Sequence, residues 1–84
     1  MSKPLMKIGN VSHYFTKIEV AVVELTGKLK VGDEIIIRGV TTDFTQKVES
    51  MQIEHDTVDE AESGDAIGLL VNYRVRAGDE VFKV

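Results

Sequence analysis

The order of apolar and polar residues along the chain indicates a series of short β-strands. Runs rich in Val, Ile, Phe and Thr are separated by glycine-containing breaks, a pattern typical of a β-sandwich or barrel. Six strands are predicted: Met6–Tyr14, Ile18–Leu25, Glu34–Arg38, Phe44–Glu54, Ala66–Val71 and Glu80–Val84. We therefore expect an all-β fold, a single six-stranded, antiparallel-type closed β-barrel that occupies residues 1–84 as one domain.

Alternation of apolar residues along three of these strands predicts which side chains form the core. Side chains at every second position face the same way, so each of the following sets shares one face of its strand. The sets are Ile18, Val20 and Val22; Ile35 and Ile37; and Ile67, Leu69 and Val71. In the fourth strand the apolar phase changes between Val48 and Met51, which predicts a bulge or sharp bend near Ser50.

Three segments place a Gly-Asp pair at the start of a predicted strand. They are residues 31–35, 63–67 and 77–81. Glycine can reverse the chain at positive φ and aspartate accepts hydrogen bonds from nearby backbone, so we interpret these pairs as turns rather than phosphate-binding loops. Thr57 and Glu60 have the spacing of a capping box, which predicts one turn of helix.

Composition limits the classes of function that the chain can perform. Its 84 residues provide one core, and a surface groove costs less stability than a deep active-site cleft, so binding is favoured over catalysis. The absence of cysteine excludes disulfides, a thiolate nucleophile and thiolate-bound metals. No segment approaches the roughly 20 apolar residues of a membrane span, and we expect a cytoplasmic protein.

Charge is unevenly distributed along the chain, whose formal net charge is −4. Residues 48–73 carry seven acidic residues and no Lys or Arg. Nonspecific nucleic-acid binding requires cations that replace phosphate counterions. The charge balance therefore argues against a general DNA- or RNA-coating protein, and a local basic face is the alternative by which the chain would bind nucleic acid.

Residue patterns that carry catalysis or metal binding are missing from the sequence. His13 and His55 are the two histidines, and a role for them with nearby carboxylates in acid–base or metal chemistry is an alternative. Their spacing does not match the zinc motifs, and the chain has neither a Gly-x-Ser-x-Gly nucleophile elbow nor a P-loop. We predict no enzymatic activity, and no catalytic residue, cofactor or metal.

Two segments concentrate the aromatic residues of a chain that has few of them. Residues 13–15 read His-Tyr-Phe, and residues 41–44 read Thr-Thr-Asp-Phe. Exposed aromatic rings stack on bases or anchor protein interfaces. The alternative interpretation is that Phe15 and Phe44 fill the ends of the barrel. Basic residues such as Lys17 could form a rim beside these loops.

Longer segments resemble the second-domain barrel of elongation factor Tu. The resemblance is carried by residues 27–39, 48–70 and 76–81, in the same order and spacing. The chain is even more similar to the C-terminal barrel of the collagenase-like peptidase family, which has counterparts of residues 13–15, 41–44, 48–52 and 74–76. Short stand-alone archaeal proteins described as elongation-factor-like look like the same unit. The resemblance implies a translation-protein β-barrel.

The resemblance also suggests what such a barrel binds. In elongation factor Tu it helps to hold the aminoacyl end of transfer RNA, and in relatives it contacts ribosomal RNA or packs on a GTPase domain. This chain has Gln52 where the factor has the glutamate that stacks on the terminal adenine, and Ala66 where the factor has an asparagine. The resemblance therefore does not extend to a transfer-RNA pocket. The peptidase-like family is linked to proteolysis and RNA modification, with its chemistry in a separate catalytic domain.

Residue patterns and resemblance together predict a non-enzymatic binding module of translation-factor ancestry. Its expected partner is RNA or a protein of the translation or RNA-modification machinery. The alternatives are a protein-only adaptor for a detached peptidase-family catalytic partner and a small metal-dependent enzyme. We expect no DNA, membrane or nucleotide as partner, and a monomer or weak oligomer. The candidate partner-binding residues are His13, Tyr14, Phe15, Lys17, Arg38, Thr42, Phe44, Gln52 and His55.

Overall fold

Ten short strands make up the fold in the computed structural model, which describes residues 5–84. Residues 1–4 of the predicted domain lie outside the described residues. The strands are β1 (Met6–Phe15), β2 (Val20–Leu25), β3 (Leu29–Lys30), β4 (Glu34–Arg38), β5 (Asp43–Lys47), β6 (Met51–Ile53), β7 (Asp56–Val58), β8 (Glu60–Ala61), β9 (Ala66–Leu70) and β10 (Glu80–Lys83). Residues 5–84 contain no helix, and so none that could cross a membrane. The predicted all-β class is confirmed.

Eight strands form one curled antiparallel sheet in the order β5-β4-β10-β1-β2-β9-β6-β7. Strands β3 and β8 pair separately as a two-stranded ribbon. Among the described strands, the two edges of the large sheet, β5 and β7, do not pair with each other, so the sheet is a curled half-barrel. The prediction of a closed six-stranded barrel is therefore wrong. The predicted fourth strand is interrupted, and its two halves join distant positions in the sheet.

The predicted bend near Ser50 is the interruption that separates those halves. Strand β5 ends at Lys47 and β6 begins at Met51. Between them, the Val48 N–H donates to the carbonyl oxygen of Asp33 at 2.8 Å, and the Val48 carbonyl accepts the Gly32 N–H at 2.8 Å. The backbone of Val48 is thus bound by the β3–β4 turn instead of a neighbouring strand, which lets the chain leave β4 and continue beside β9.

The core lies on the inner face of the curled sheet, and alternation predicts it correctly in two strands. The predicted faces of β4 and β9 are buried: Ile35 and Ile37, and Ile67 and Leu69 with Val71 just beyond. In β2, however, the buried residues are Ala21, Val23 and Leu25. Residues 20–23 are all apolar, so period two cannot distinguish the faces of this strand. Ile18, Val20 and Val22 lie on the other side, and their assignment to the core is wrong.

The segment from Thr57 to Glu60 forms two strands instead of the predicted helical turn. Thr57 of β7 pairs with Gln52 of β6, and Glu60 of β8 pairs with Lys30 of β3. These cross-strand pairs override the local capping signal, so the helix prediction is wrong. Strands β3, β7 and β8 are two or three residues long, too short to show a period in the sequence.

The three Gly-Asp pairs form three copies of one turn, as predicted. Gly32, Gly64 and Gly78 have φ angles of 98°, 96° and 96°. In each turn the carboxylate of the following aspartate accepts a hydrogen bond from the backbone N–H three residues before it. The donor and acceptor pairs are Lys30 and Asp33 at 2.9 Å, Glu62 and Asp65 at 2.9 Å, and Arg76 and Asp79 at 2.8 Å. The aspartate carboxylate thus fixes each turn, while the glycine N–H of each pair donates to the carbonyl oxygen of a residue distant in sequence.

Candidate functional site

A shallow groove crosses the outer face of the sheet where β2, β9 and β6 lie side by side. Its volume is about 260 Å³. Val22 on β2 and Gln52 on β6 both pair with Gly68 on β9, so the two side chains stand on opposite sides of a glycine. We call this feature the outer groove. Its apolar side is formed by Phe15, Ile18, Val20 and Val22, and its polar side by Gln52, Glu54 and His55.

Gly68 forms the floor of the outer groove. A Cβ atom added to Gly68 would lie 3.3 Å from Cγ1 of Val20 and 3.9 Å from the carbonyl oxygen of Gln52. A side chain here would fill the space between β2 and β6. Glycine inside a strand weakens it, and a common reason for its presence is close approach of another group. The absence of a side chain at position 68 therefore leaves the groove open.

The two turns beside the outer groove contain every non-glycine residue with positive φ in residues 5–84. Glu19, in the β1–β2 turn, has φ 55°, and Glu54 and His55, in the β6–β7 turn, have φ 48° and 70°. Each such residue costs roughly 1–2 kcal/mol relative to right-handed backbone. In the two-residue β6–β7 turn, positive φ at both central residues is what the hairpin geometry requires.

Large apolar side chains are exposed at one rim of the outer groove. Ile18 is 61% exposed and Phe15 is 46% exposed. The ring of His13 packs edge-on against Phe15, with centroids 4.5 Å apart and planes at 63°. The side chain of Phe15 therefore lies on the outer face of the sheet, and the interpretation that it fills a barrel end is wrong. Phe44 does pack against the core, as that interpretation predicts.

The acidic and basic groups near the outer groove are exposed. Glu19 and Glu54 carry acidic side chains on the turns at its two sides, and Lys17 lies in the first of these turns. The groove itself is lined mainly by hydrocarbon. An apolar strip with the Glu54 carboxylate in its lining favours an uncharged or basic ligand over a phosphate-bearing one.

The nine predicted partner-binding residues separate into groups. Phe15, Gln52 and His55 line the outer groove, and His13 packs beside it. Tyr14 and Lys17 line a neighbouring depression of about 330 Å³ together with Phe15. The Tyr14 ring is half-buried against the core, which leaves it less available to a partner than the sequence suggests.

The remaining three predicted residues lie around the β4–β5 turn. Arg38 lines a depression of about 780 Å³ together with Arg76 of the β9–β10 loop. Thr42 and Phe44 line one of about 490 Å³ together with Tyr73 and Arg74 of the same loop. The side chain of Thr42 is buried, so it contributes little exposed surface. We call the exposed residues Arg38, Tyr73, Arg74 and Arg76 the arginine surface.

Several residues of these surfaces are missing from the sequence-based candidates. The sequence predicts that Val20, Val22 and Ile18 belong to the core, and it predicts no role for Gly68. The signal for Gly68 is an isolated glycine inside an otherwise apolar strand. The signal for the arginine surface is that the chain has three arginines, two of which, at positions 74 and 76, are separated by a single residue. Among residues 5–84, lysines beside Tyr14 do not gather in the way that a basic rim requires, since Lys17 is the one lysine that lines that depression.

Metal chemistry gains no support from the arrangement of potential ligands. Within residues 5–84, no three His, Cys, Asp or Glu side chains lie close enough together to hold a metal ion. His13 contacts an aromatic ring, and His55 occupies a tight turn. The alternative of a small metal-dependent enzyme therefore has no geometric basis in the described part of the chain.

Similar proteins are found by sequence and by structure. The chain is 42% identical over 78 residues to an uncharacterised protease of Methanocaldococcus jannaschii, which covers 92% of this chain and 19% of that protein. It is 38% identical over 78 residues to a collagenase of Porphyromonas gingivalis, which covers 90% of this chain and 22% of the collagenase. The chain thus spans about a fifth of the length of the curated relatives it matches.

Two crystal structures share the fold. Both are of the C-terminal domain of a Geobacillus thermoleovorans protein assigned to the U32 peptidases. One has a TM-score of 0.87, with 21% identity, and covers 100% of this chain and 99% of that chain. The selenomethionine variant has a TM-score of 0.85, with 22% identity, covering 89% and 95%. The family model for elongation factor Tu domain 2 matches residues 20–79. The chain therefore belongs to the elongation factor Tu domain 2 family.

Proposed function

We propose that this chain is a non-enzymatic binding module of translation-factor ancestry that contacts RNA or a protein of the translation or RNA-modification machinery. Its curated relatives are named a protease and a collagenase, and about four-fifths of each has no counterpart in these 84 residues. We assign any catalysis to that remainder and binding to the half-barrel. The fold alone does not decide this, because one fold serves many functions.

The observation that carries the proposal is the outer groove. It combines exposed apolar side chains with an open glycine floor at Gly68. Apolar surface of this kind stabilises a complex when a partner covers it. Because the groove is lined mainly by apolar side chains and by the carboxylate of Glu54, an apolar side chain of a protein partner fits it better than a phosphate-bearing nucleotide.

Site-specific photocrosslinking tests which partner the outer groove receives. A benzophenone amino acid placed at Ile18 is irradiated in an extract of the source cells, and the products are identified by mass spectrometry with and without ribonuclease. We expect protein crosslinks that survive ribonuclease and 0.5 M salt, since burial of apolar surface is insensitive to screening. Crosslinks to RNA alone would assign the groove to RNA and overturn the protein assignment.

Two further variants of the chain test whether the crosslinks depend on the outer groove. The same probe at Val31, an exposed apolar residue in the β3–β4 turn, is the matched control and should give a different and weaker pattern. Gly68→Ala adds one methyl group to the groove floor and should reduce crosslinking from position 18, because the added carbon occupies the space that the partner needs. Identical patterns from positions 18 and 31 would contradict the proposal.

A second candidate function is an adaptor for a detached catalytic partner of the peptidase family. It is suggested by the similarity of this chain to proteins named a protease and a collagenase. The test mixes the chain with the Methanocaldococcus jannaschii relative from which the matching 78-residue segment has been deleted. Calorimetry should detect a complex that Ile18→Ser weakens at least tenfold and Val31→Ser leaves unchanged. No detectable heat would argue against the adaptor function.

A further inference from the structure

The three arginines of the chain lie on one surface. Arg38 and Arg76 line one depression, and Arg74 lines a second one that shares the β4–β5 turn and the β9–β10 loop as walls. By contrast, the seven lysines are spread along the sequence. Arginine differs from lysine in its planar guanidinium, which binds phosphate through two N–H groups and stacks on flat rings. The arginines thus concentrate positive charge near the β4–β5 turn and the β9–β10 loop in a chain whose formal net charge is −4.

The acidic side chains of this surface already have partners. Asp79 is 4% exposed and its carboxylate accepts the backbone N–H of Arg76. Glu80 pairs with the Lys7 ammonium at 2.8 Å. Asp43 lies 3.6 Å from Nε of Arg38, an exposed pair of the kind that contributes little to stability and exchanges readily.

Two of the guanidinium groups are left for a ligand. Among the described residues, no carboxylate lies within ion-pair distance of the side chain of Arg74 or Arg76. Both side chains are exposed, and both line depressions large enough for a nucleotide-sized group, about 490 and 780 Å³. The three arginines together with Lys7 exceed the three carboxylates of this surface, Asp43, Asp79 and Glu80, by one positive charge.

An aromatic ring is held beside these arginines. Tyr73 is 63% exposed, and its ring packs edge-on against Phe44, with centroids 5.1 Å apart and planes at 66°. Phe44 in turn packs against the core, so it fixes one edge of the tyrosine ring. A ring held at its edge and open to solvent can accept a base on its face.

The loop that carries these groups is anchored at several points. Val75, between Arg74 and Arg76, is 1% exposed and belongs to the core. The Asn72 N–H donates to Oε1 of Gln46 at 2.8 Å. A loop fixed in this way loses little conformational freedom when a ligand binds, so its exposed arginines and tyrosine are preorganised.

We propose that the arginine surface binds a single-stranded polynucleotide, with backbone phosphates held by Arg74, Arg76 and Arg38 and one base stacked on Tyr73. This site is separate from the outer groove and would make the module bivalent for a protein and a nucleic acid. A duplex is a poorer ligand, because its bases already stack on one another and leave no face for Tyr73.

Fluorescence anisotropy with a 5′-labelled ten-nucleotide oligouridine tests the proposal on the purified chain. Binding should weaken as salt rises, with a slope that Arg74→Gln/Arg76→Gln reduces by about 1.4, since each contact to single-stranded phosphate contributes about 0.7. Tyr73→Ala should weaken binding by about five- to a hundredfold through loss of base stacking. Oligothymidine and duplex RNA of the same length are measured in parallel to compare sugar and strandedness.

The controls separate this site from general charge effects and from the outer groove. Lys28→Gln/Lys30→Gln removes the same number of charges elsewhere and should leave the salt slope unchanged. Ile18→Ser should leave oligouridine binding unchanged, so failure of this proposal is distinguishable from failure of the groove. Circular dichroism confirms that each variant is folded. Three results would overturn the proposal. The first is that oligouridine does not bind, and the second is that heparin binds as tightly as oligouridine while Tyr73→Ala leaves oligouridine binding unchanged. The third is that the lysine variant reduces the salt slope as much as the arginine variant does.

Discussion

The side chain of Gln46 joins β5 to the end of β9: its Nε2 donates to the carbonyl oxygen of Leu70 at 3.0 Å, across 24 residues of sequence. Its Oε1 accepts the N–H of Asn72 at 2.8 Å. Strand β5 is an edge of the large sheet and does not pair with β9. One buried carboxamide therefore supplies, across the gap in the half-barrel, the two hydrogen bonds that a strand ladder would otherwise provide.

Replacing Gln46 should destabilise the fold although its neighbours in the sheet remain paired. Gln46→Ala leaves the Leu70 carbonyl and the Asn72 N–H without their partner, and each unpaired, partly buried group costs about 1–3 kcal/mol. We expect the free energy of unfolding to fall by about 2–4 kcal/mol, measured by urea denaturation with an unchanged m-value.

The control for this prediction is Thr45→Ala, one residue away on the exposed face of β5, which should change stability by less than about 0.5 kcal/mol. Gln46→Glu keeps an acceptor for Asn72 but loses the donor to Leu70 and places a charge in a buried position. It should be at least as damaging as Gln46→Ala. A stable Gln46→Ala protein would mean that water or the backbone closes the gap instead.

Gly39 and Asp79 are coupled by a close approach. A Cβ atom added to Gly39 would overlap the Asp79 carboxylate, which is buried and fixed by the Arg76 N–H. Gly39→Ala should therefore cost about 1–3 kcal/mol through overpacking. In a double-mutant cycle, Asp79→Ala should remove most of that cost, because the carboxylate that meets the new methyl group is gone. Additive losses in the double variant would contradict the contact.

The β6–β7 hairpin offers a change that should stabilise the protein. Ile53 pairs with Asp56, and both residues between them, Glu54 and His55, have positive φ, as in a type I′ turn. Asn-Gly is the preferred pair there, so E54N/H55G should raise the free energy of unfolding by about 1 kcal/mol and Tm by roughly 4–8 °C.

The variant E54N/H55G is expected to change stability and partner binding in opposite directions. His55 lines the outer groove, so crosslinking from position 18 should decrease although the protein melts at a higher temperature. Thermal melting followed by circular dichroism measures the first effect. A variant that melts lower than the original protein would mean that Glu54 and His55 make contacts that outweigh their backbone strain.

The sequence predicts correctly those parts of the fold that depend on alternation within one strand or on hydrogen bonds between residues close in sequence. Glu34–Arg38 is found at the predicted bounds, and the Gly-Asp turns form because their hydrogen bonds lie within four residues. The contact between β5 and the end of β9 could not be predicted, since it depends on one glutamine side chain that reaches a backbone carbonyl 24 residues away. Short strands such as β7 likewise form through pairing rather than through their own sequence.

The site was harder to predict than the fold for a related reason. Burial of β2 is ambiguous because both of its faces are apolar, and the face assigned to the core is the one that lines the outer groove. In the sequence, apolar side chains on the outer face of a strand have the same alternation as side chains of the core, and only the position of the strand in the sheet distinguishes them. The arginine surface brings residues 38 and 74–76 together through a loop whose course no short-range pattern encodes.

Adjacent valines in β2 provide a direct test of which face is functional. Val23 is fully buried, whereas Val22 is half-buried in the outer groove. Threonine has nearly the shape of valine but carries a hydroxyl, so Val23→Thr should lower the free energy of unfolding by about 1–3 kcal/mol, while Val22→Thr should cost less than about 1 kcal/mol. In the crosslinking assay the order should reverse: Val22→Thr reduces partner capture and folded Val23→Thr retains it. Equal losses of stability would place both side chains in the core and remove the outer groove as a site.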